Sequence, residues 1–381
     1  MGGPSPRCGT PPWGRRPARS SMPSWSWNCG CAACVPMLAD QLTIVVVTYN
    51  SMGALPSFFQ RVKDATAGEP CRILVCDNGS DDGVEDFVGR QSGEISFLGS
   101  RENAGYGAAL NRGIIAASTP FVALMNPDVA IQPGGYRELV RFMKERPRAA
   151  GASGIVVHVR DYPATFVRDG LFPRGQVAVH FGYEDVLTRV SFYSGLQTKF
   201  AHRSWLVPWS TVPARDEISV SRLNGCFGVF RRDALFEVGL FDPRLFLYFE
   251  EDDLALRLRT SGYELYVTAR TVVAHRSGTG SAATGSRTTD LILLNSQYIF
   301  FRKHYGRSYA WAAFFVIWAV ITMGVAYRAL VRGGRGSMLH LWTWHVRSLL
   351  CGGGMPAGTI PGGGKDGVNY NWSAPSVPGA T

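Results

Sequence analysis

Four short clusters in this chain hold the residues best able to do chemistry, and each comes after an apolar run. Thr48, Tyr49 and Asn50 follow LTIVVV, and Asp77, Asn78, Gly79 and Ser80 follow RILVC. Asn103, Gly105, Gly107 and Asn111 come after ISFL, and Asn126, Pro127 and Asp128 follow FVALM. Pro127 has no amide hydrogen and pushes Asn126 out of the helical region, so this last run ends at a fixed turn that holds Asp128 just beyond it. In open α/β sheets, ligands bind in the crevice outside the carboxyl ends of the strands. A carboxylate such as Asp77 at a strand tip can accept the imide hydrogen of a uracil or thymine ring. Gly105 and Gly107 let backbone pass close to a ligand, and a helix that starts there is a good place for a phosphate. Turn and capping chemistry explains each cluster taken alone. Four polar strand ends on one edge argue for a single nucleotide-binding crevice.

A second concentration of charge lies downstream in FLYFEEDDLALRL, where Glu250, Glu251, Asp252 and Asp253 stand together at a helix start. An acidic first turn is stabilised by the helix dipole and is commonly structural. Four adjacent carboxylates repel, however, and an ionised one here could serve as a general base. His275 ends TVVAH. Placed opposite Asp128, it would complete a small site for Mn or Mg, since a metal on a diphosphate needs few protein ligands.

The elements that must position these residues alternate. Strand-like runs at 42–47, 72–76, 95–98 and 121–125 are separated by stretches with helical spacing, notably 104–117 and 134–146. That order predicts βαβ units and a parallel sheet. Residues 150–222 are less regular and read as an insertion carrying specificity. Beyond them the pattern predicts a strand at 226–230, helices at 232–238 and 252–261, and strands at 263–267 and 271–274. The expected division is a disordered leader over 1–40, a catalytic domain over 41–305, a membrane-associated helical segment over 306–350 and a Gly/Pro-rich tail over 351–381. Met37 is a candidate start.

Composition narrows the function. The chain has 381 residues and a formal charge of +10. Such a balance favours phosphate-bearing partners or an anionic membrane surface. The positive charge is scattered, without a basic block interleaved with aromatics, which argues against nucleic acid. No G-x-G-x-x-G follows the first strand and no phosphate loop of the G-x-x-x-x-G-K-[ST] type occurs, which disfavours a dehydrogenase and a P-loop enzyme. Cys29, Cys31 and Cys34 lack a fourth ligand at metal-site spacing and read as incidental thiols. Cys71 and Cys76 flank one strand and suit a reducing compartment. AWAAFFVIWAVITMGVAY, residues 310–327, carries no charge. As a helix it reaches about 27 Å, close to the bilayer core, and Arg on both flanks leaves spanning and interfacial seats both open.

Taken together, TIVVVTYNS, ILVCDNGSDDG, ENAGYGAALNRGI, ALMNPDV, LNGCFGVFRRDALFEVGLFDPRLFLYFEEDDLALRLRTSGY and VVAHRSGTGS resemble, in order, the motifs of glycosyltransferase family 2. The resemblance covers residues 42 to 305 and is nearest to a bacterial rhamnosyltransferase-like branch. It implies a GT-A fold, a Rossmann-like mixed sheet flanked by helices, with a hydrophobic helix at the C-terminus. It also implies an inverting transfer of a sugar, L-rhamnose being one candidate, from a dTDP or UDP donor to a lipid-linked or cell-wall glycan at the cytoplasmic face of the membrane. Carried over by position, Asp77 contacts the base, within a nucleotide site of Thr48, Asn50, Asn78, Ser80, Asn103, Gly105, Asn111 and Asn126. Asp128 and His275 hold the divalent metal, Mn or Mg, with Asn126 standing where relatives carry the first Asp of D-x-D. Glu251 is the first choice for the base and Glu250 the second. Gly225, Cys226 and Asp253 approach the donor sugar or acceptor. Two other classes compete. A sugar nucleotidyltransferase would need a glycine-rich basic loop after the first strand, which is absent here. A non-catalytic, membrane-anchored nucleotide-sugar-binding module would keep the crevice without the chemistry.

Overall fold

The computed structural model describes residues 36–159, 217–276 and 286–331, together with Thr343 and Val346. The leader apart from its end, the Cys29–Cys34 cluster, most of the irregular 150–222 stretch and the tail from 351 lie outside the described residues.

A short helix, α1 (Leu38–Gln41), leads into β1 (Leu42–Thr48), whose seven residues are all buried. A strand covered on both faces has no solvent side to mark with polar residues, so it reads as an unbroken apolar run. Side chains nonetheless alternate between faces. Leu42, Ile44 and Val46 join one core with α2 (Leu55–Ala65), while Val45 and Val47 join a second core on the opposite face. Next come β2 (Arg72–Asp77), α3 (Val84–Gly89), β3 (Ile95–Leu98), α4 (Tyr106–Ala116) and β4 (Phe121–Met125). β1 pairs in parallel with β2 and β4, and β2 in parallel with β3. All four strand ends therefore open on one edge.

The chain continues through β5 (Val129–Ile131), α5 (Gly135–Glu145), β6 (Ala149–Val159), β7 (Glu217–Ser219), β8 (Phe227–Arg231), α6 (Arg232–Glu237), α7 (Glu250–Thr260) and β9 (Glu264–Arg276). β8 runs antiparallel to β4, which turns the sheet from parallel to mixed. Strand order is β3-β2-β1-β4-β8-β6-β9-β5, with β7 pairing β9. α5 packs in the core of β1's first face, and α4, α6 and α7 pack in the core of the other.

Two expectations change here. The start of the irregular stretch is a regular strand, β6, whose small residues Ala149, Ala150, Gly151, Ala152 and Ser153 hid its pattern. The strands expected at 263–267 and 271–274 form one strand, β9, whose register against β6 shifts between Gly154 and Ile155. That irregularity accounts for the apparent gap between them.

The C-terminal helix α8 (Ser286–Val331) begins well before the expected boundary at residue 306 and is interrupted at Gly306, where φ is 88° and ψ 171°. Tyr298 packs on Phe314 with ring centroids 6.3 Å apart. Residues so far apart in sequence would lie about 24 Å apart along a straight helix, so the two arms fold back on each other. By length and composition alone Leu291–Met323 is enough to cross a membrane, but the break at Gly306 divides it between the two arms.

Candidate active site

The first two strand ends are stitched together before any ligand arrives. Thr48 Oγ1 donates to Asp77 Oδ1 at 2.7 Å, and Ser80 Oγ donates to the same oxygen at 2.5 Å. Gly79 N and Ser80 N donate to Asp77 Oδ2 at 3.0 and 2.8 Å. Four donors match the acceptor capacity of a carboxylate. Base recognition through Asp77 therefore requires a hydroxyl, Ser80 or Thr48, to turn away. Asn50 sits at φ 49°, its amide donating to Ser80 Oγ and its side chain accepting from Asp81 N. Asn78 donates to Gly105 O at 3.0 Å and accepts from Arg112, whose guanidinium also donates to Asp77 O.

Asn103 accepts from Gly105 N at 3.0 Å, and Gly105 adopts φ 95°. A Cβ at Gly105 would sit 2.5 Å from Phe246 O, so the glycine is required both for its backbone angle and for space. Asn111 is not on the crevice. Its amide donates to Phe241 O at 2.8 Å and its carbonyl accepts from Phe241 N at 2.9 Å, so both ends are used inside the core. The helix start that suggested a nucleotide contact is real, but Asn111 lies more than a turn beyond it and ties α4 to the 240 loop.

The fourth strand end behaves differently. Asn126 N donates to Cys226 O at 3.0 Å, which draws the Gly225–Cys226 loop to β4. Asp128 lies next to β5, and Val129 pairs with His275 on β9. The ladder brings His275 Nε2 to 3.5 Å from Asp128 Oδ1, although the two residues are far apart in sequence. A carboxylate oxygen and an imidazole nitrogen form a donor set that fits Mn or Mg when diphosphate oxygens complete the shell. Among the described residues no cluster of three or more such ligands occurs.

The acidic turn closes the site from the other side. Tyr248 and Phe249 take positive φ angles of 67° and 66°, and Phe249 caps α7. Gly225 abuts Glu251, since a Cβ there would lie 3.1 Å from Glu251 Oε1. Tyr106 Oη donates to Gly225 O at 3.0 Å, and Tyr106 N donates to Phe246 O at 2.8 Å. A cavity of about 30 Å³ is lined by Tyr106, Asn224, Gly225, Glu250 and Glu251 among others. Burial first, then the neighbouring charge of Glu251, pushes Glu250 well above the usual carboxylate range. Burial raises the Cys226 thiol, with Asp128 and then Glu251 adding to the effect. Cys226 thus lies within electrostatic reach of both carboxylates.

Two groups in this neighbourhood were not picked out in the sequence. Arg222, only 5% exposed, places Nη1 3.0 Å from Glu251 Oε1 and Nε 3.3 Å from Asp252 Oδ1. Its signal was indirect: adjacent buried acids demand a cation, and Arg222 precedes the LNGC loop that abuts them. The other is Tyr106, which lies inside ENAGYG, where the glycines around it carry the stronger signal. Asp253, expected near donor or acceptor, is turned away. Two residues along an α-helix rotate about 200°, so Asp253 faces opposite Glu251. It is fully buried against Arg257, Lys303 and His304.

A half-parallel sheet with polar strand ends, a carboxylate–histidine pair where β5 meets β9, and an acidic helix start beside the Gly225–Cys226 loop fit a glycosyltransferase of the GT-A fold. The family model described as Glycosyl transferase family 2 matches residues 43–238, and the chain belongs to that family. It is 30% identical over 260 residues to the N-acetylglucosaminyl-diphospho-decaprenol L-rhamnosyltransferase of Mycobacterium tuberculosis, covering 63% of this chain and 78% of that protein. An uncharacterized glycosyltransferase of Mycobacterium bovis is 31% identical over 104 residues, 27% of this chain and 44% of that one. Among solved structures, GalNAc-T7 with UDP, GalNAc and Mn2+ aligns with a TM-score of 0.52 at 14% identity, over 84% of this chain and 57% of that chain. At that identity the likeness speaks to the fold.

Proposed function

We propose that the protein is an inverting transferase that moves a sugar from a nucleoside diphosphate donor, dTDP or UDP, to a lipid-linked glycan acceptor used in cell-wall or polysaccharide synthesis. The mycobacterial relative makes L-rhamnose the first donor sugar to test and a polyprenyl-diphosphate sugar the first acceptor. The carrying observation is that the Gly225–Cys226 loop accepts a hydrogen bond from Asn126 N at the end of β4 and abuts Glu251, so the Asn-Pro-Asp strand end and the acidic turn flank one loop.

In this reading Thr48, Asn50, Asp77, Asn78 and Ser80 shape the base pocket, and Asn103 and Gly105 set the backbone where the diphosphate crosses. Asp128 and His275 would hold a divalent ion, which supplies positive charge to the departing diphosphate when bound. Glu251 takes the proton from the acceptor hydroxyl as that oxygen attacks the anomeric carbon, and the glycosidic bond to the diphosphate breaks. Arg222 balances the charge of Glu251 and orients it. Glu250, whose burial disfavours its charged form, is the neighbour that narrows the pocket. Gly225 leaves room for the sugar against Glu251. The C-terminal helix seats the enzyme on the cytoplasmic face of the membrane, beside a lipid-borne acceptor.

The test is donor turnover by the full chain in membranes, with UDP-, dTDP- and GDP-sugars, with Mn or Mg and with chelator. Metal-dependent release of one nucleoside diphosphate, lost in Asp128→Ala, is expected. Binding of a nucleotide sugar without turnover, unaltered by Glu251→Gln, would replace this reading with the non-catalytic binding module.

A further inference from the structure

The acidic turn is held in place by the C-terminal helix as well as by the sheet. Tyr248 and Phe249 are consecutive bulky residues in the left-handed region, a conformation that persists only when its surroundings enforce it. One side of the enforcement comes from α4, where Tyr106 N donates to Phe246 O. The other comes from the first arm of α8. Phe249 packs on Phe300 and Phe301 with centroids 5.2 and 6.4 Å away, Ser296 Oγ donates to Leu247 O at 2.8 Å, and Leu245 and Phe249 share a core with Leu293, Leu294 and Phe301.

Just inside α7, two cations and an imidazole meet one buried carboxylate. Asp253 receives Arg257 from its own helix at 2.6 Å, and Lys303 and His304 from α8 at 2.6 and 2.7 Å. Lys303 also reaches Asp242 at 2.8 Å, and Arg244 sits on the same Asp242. Asp253 is two residues beyond Glu251, so whatever fixes its azimuth fixes that of the proposed base.

We propose that Phe300, Lys303 and His304 are positioning residues for the transfer reaction: the first arm of α8 clamps the Leu245–Phe249 turn and Asp253, and thereby aims Glu250 and Glu251 into the crevice. The C-terminal helix is then part of the catalytic apparatus, and its apolar second arm ties the same clamp to the membrane seat. The inference rests on the proposed transferase reading.

The test uses the full chain in detergent micelles and compares Lys303→Met, Lys303→Arg, His304→Ala and Phe300→Ala with Arg302→Ala, an exposed neighbour on the same turn. Amide hydrogen exchange over residues 246–253 is expected to quicken about tenfold or more in Lys303→Met and Phe300→Ala, with β1 and β2 unchanged. Transfer should lose about tenfold or more in kcat at a donor KM within about twofold, with Lys303→Arg restoring most of it and Arg302→Ala neutral. A turn that exchanges as in the unaltered protein, or a kcat that survives Lys303→Met, overturns the proposal. Should Lys303→Met loosen the whole sheet, His304→Ala, which removes one bond, carries the same comparison. If the unaltered protein turns over no donor, the transferase reading has failed, and the exchange pattern still decides whether the clamp exists.

Discussion

Glu250 and Glu251 are adjacent, yet their surroundings differ. Glu251 has Arg222 at 3.0 Å, while Glu250 is buried and its pKa is raised by that burial and then by Glu251. The ordinary value is 4.5, and in the unfolded chain Glu250 ionises near it. From there up to its folded value, the folded protein holds a proton that the unfolded chain has lost, so stability falls as pH rises through that window. Glu250→Gln cannot ionise and removes this slope. Melting temperature in the variant is expected to exceed that of the unaltered protein at pH 8 by more than at pH 5. A gap independent of pH would show that Glu250 does not carry the proton. The same pair separates the candidate bases: Glu251→Gln should lower kcat by about 10²- to 10⁴-fold, and Glu250→Gln by much less. A larger loss in Glu250→Gln than in Glu251→Gln would return the role to Glu250.

At the scale of elements, α4 is the beam that sets the crevice, and two of its residues show how. A Cβ at Gly113 would come within 2.3 Å of Val45 Cγ1 and 2.8 Å of Cys76 Sγ, so helix and sheet touch through the missing side chain. Gly113→Ala should cost about 1–3 kcal/mol through overpacking, seen as a lower denaturant midpoint with an unchanged slope. Asn111→Ala leaves Phe241 N–H and C=O without their side-chain partner in the core, and should cost about 2–4 kcal/mol by the same measurement. A loss under half a kilocalorie at either position would contradict the packing described. These residues also mark what the sequence could tell. Parallel strands advertised themselves because β1 and β4 are apolar on both faces, and the polar strand tips advertised the crevice. β6 did not, because its small residues carry little hydrophobic pattern. Asn111 and Asp253 were placed near the ligand because spacing alone does not say which way a helix is rotated; that depends on the Phe241 loop and on α8, both distant in sequence. Arg222 was hidden for the same reason, since its partners lie across a loop junction.

Considered whole, the sheet domain meets the helical hairpin through an ionic junction beside the Phe249–Phe300 packing, and the ionic part has a pH signature. Asp242 and Asp253 are both partly desolvated, yet the Arg244 and Lys303 contacts on the first, and the His304, Arg257 and Lys303 contacts on the second, draw their pKa values below the usual 3.8. A depressed folded value gives stability that is present above the unfolded value and lost as pH falls through the folded one. Acidification below about pH 4 should therefore release the turn and first arm, as faster amide exchange at 246–253, and Asp253→Asn should show the same loss at neutral pH. Beyond Gly306 the second arm has two faces. Phe314, Ile317 and Ile321 are buried against the first arm, whereas Phe315, Val316 and Met323 are 47%, 45% and 63% exposed. An apolar row left outside while its neighbours satisfy the fold is suited to lipid. Burying one such side chain contributes about 1.5–3 kcal/mol, so replacing Phe315 and Val316 together by Ser should weaken association with phospholipid vesicles by more than about tenfold. Nucleotide binding in the sheet crevice should be untouched, because neither residue contacts it. Phe314→Ser, by contrast, strikes the packing of the two arms and should lower thermal stability as well as vesicle association. If the Phe315, Val316 double variant co-sediments with vesicles as strongly as the unaltered chain, this face is not what meets the membrane, and the seat must lie elsewhere on the protein.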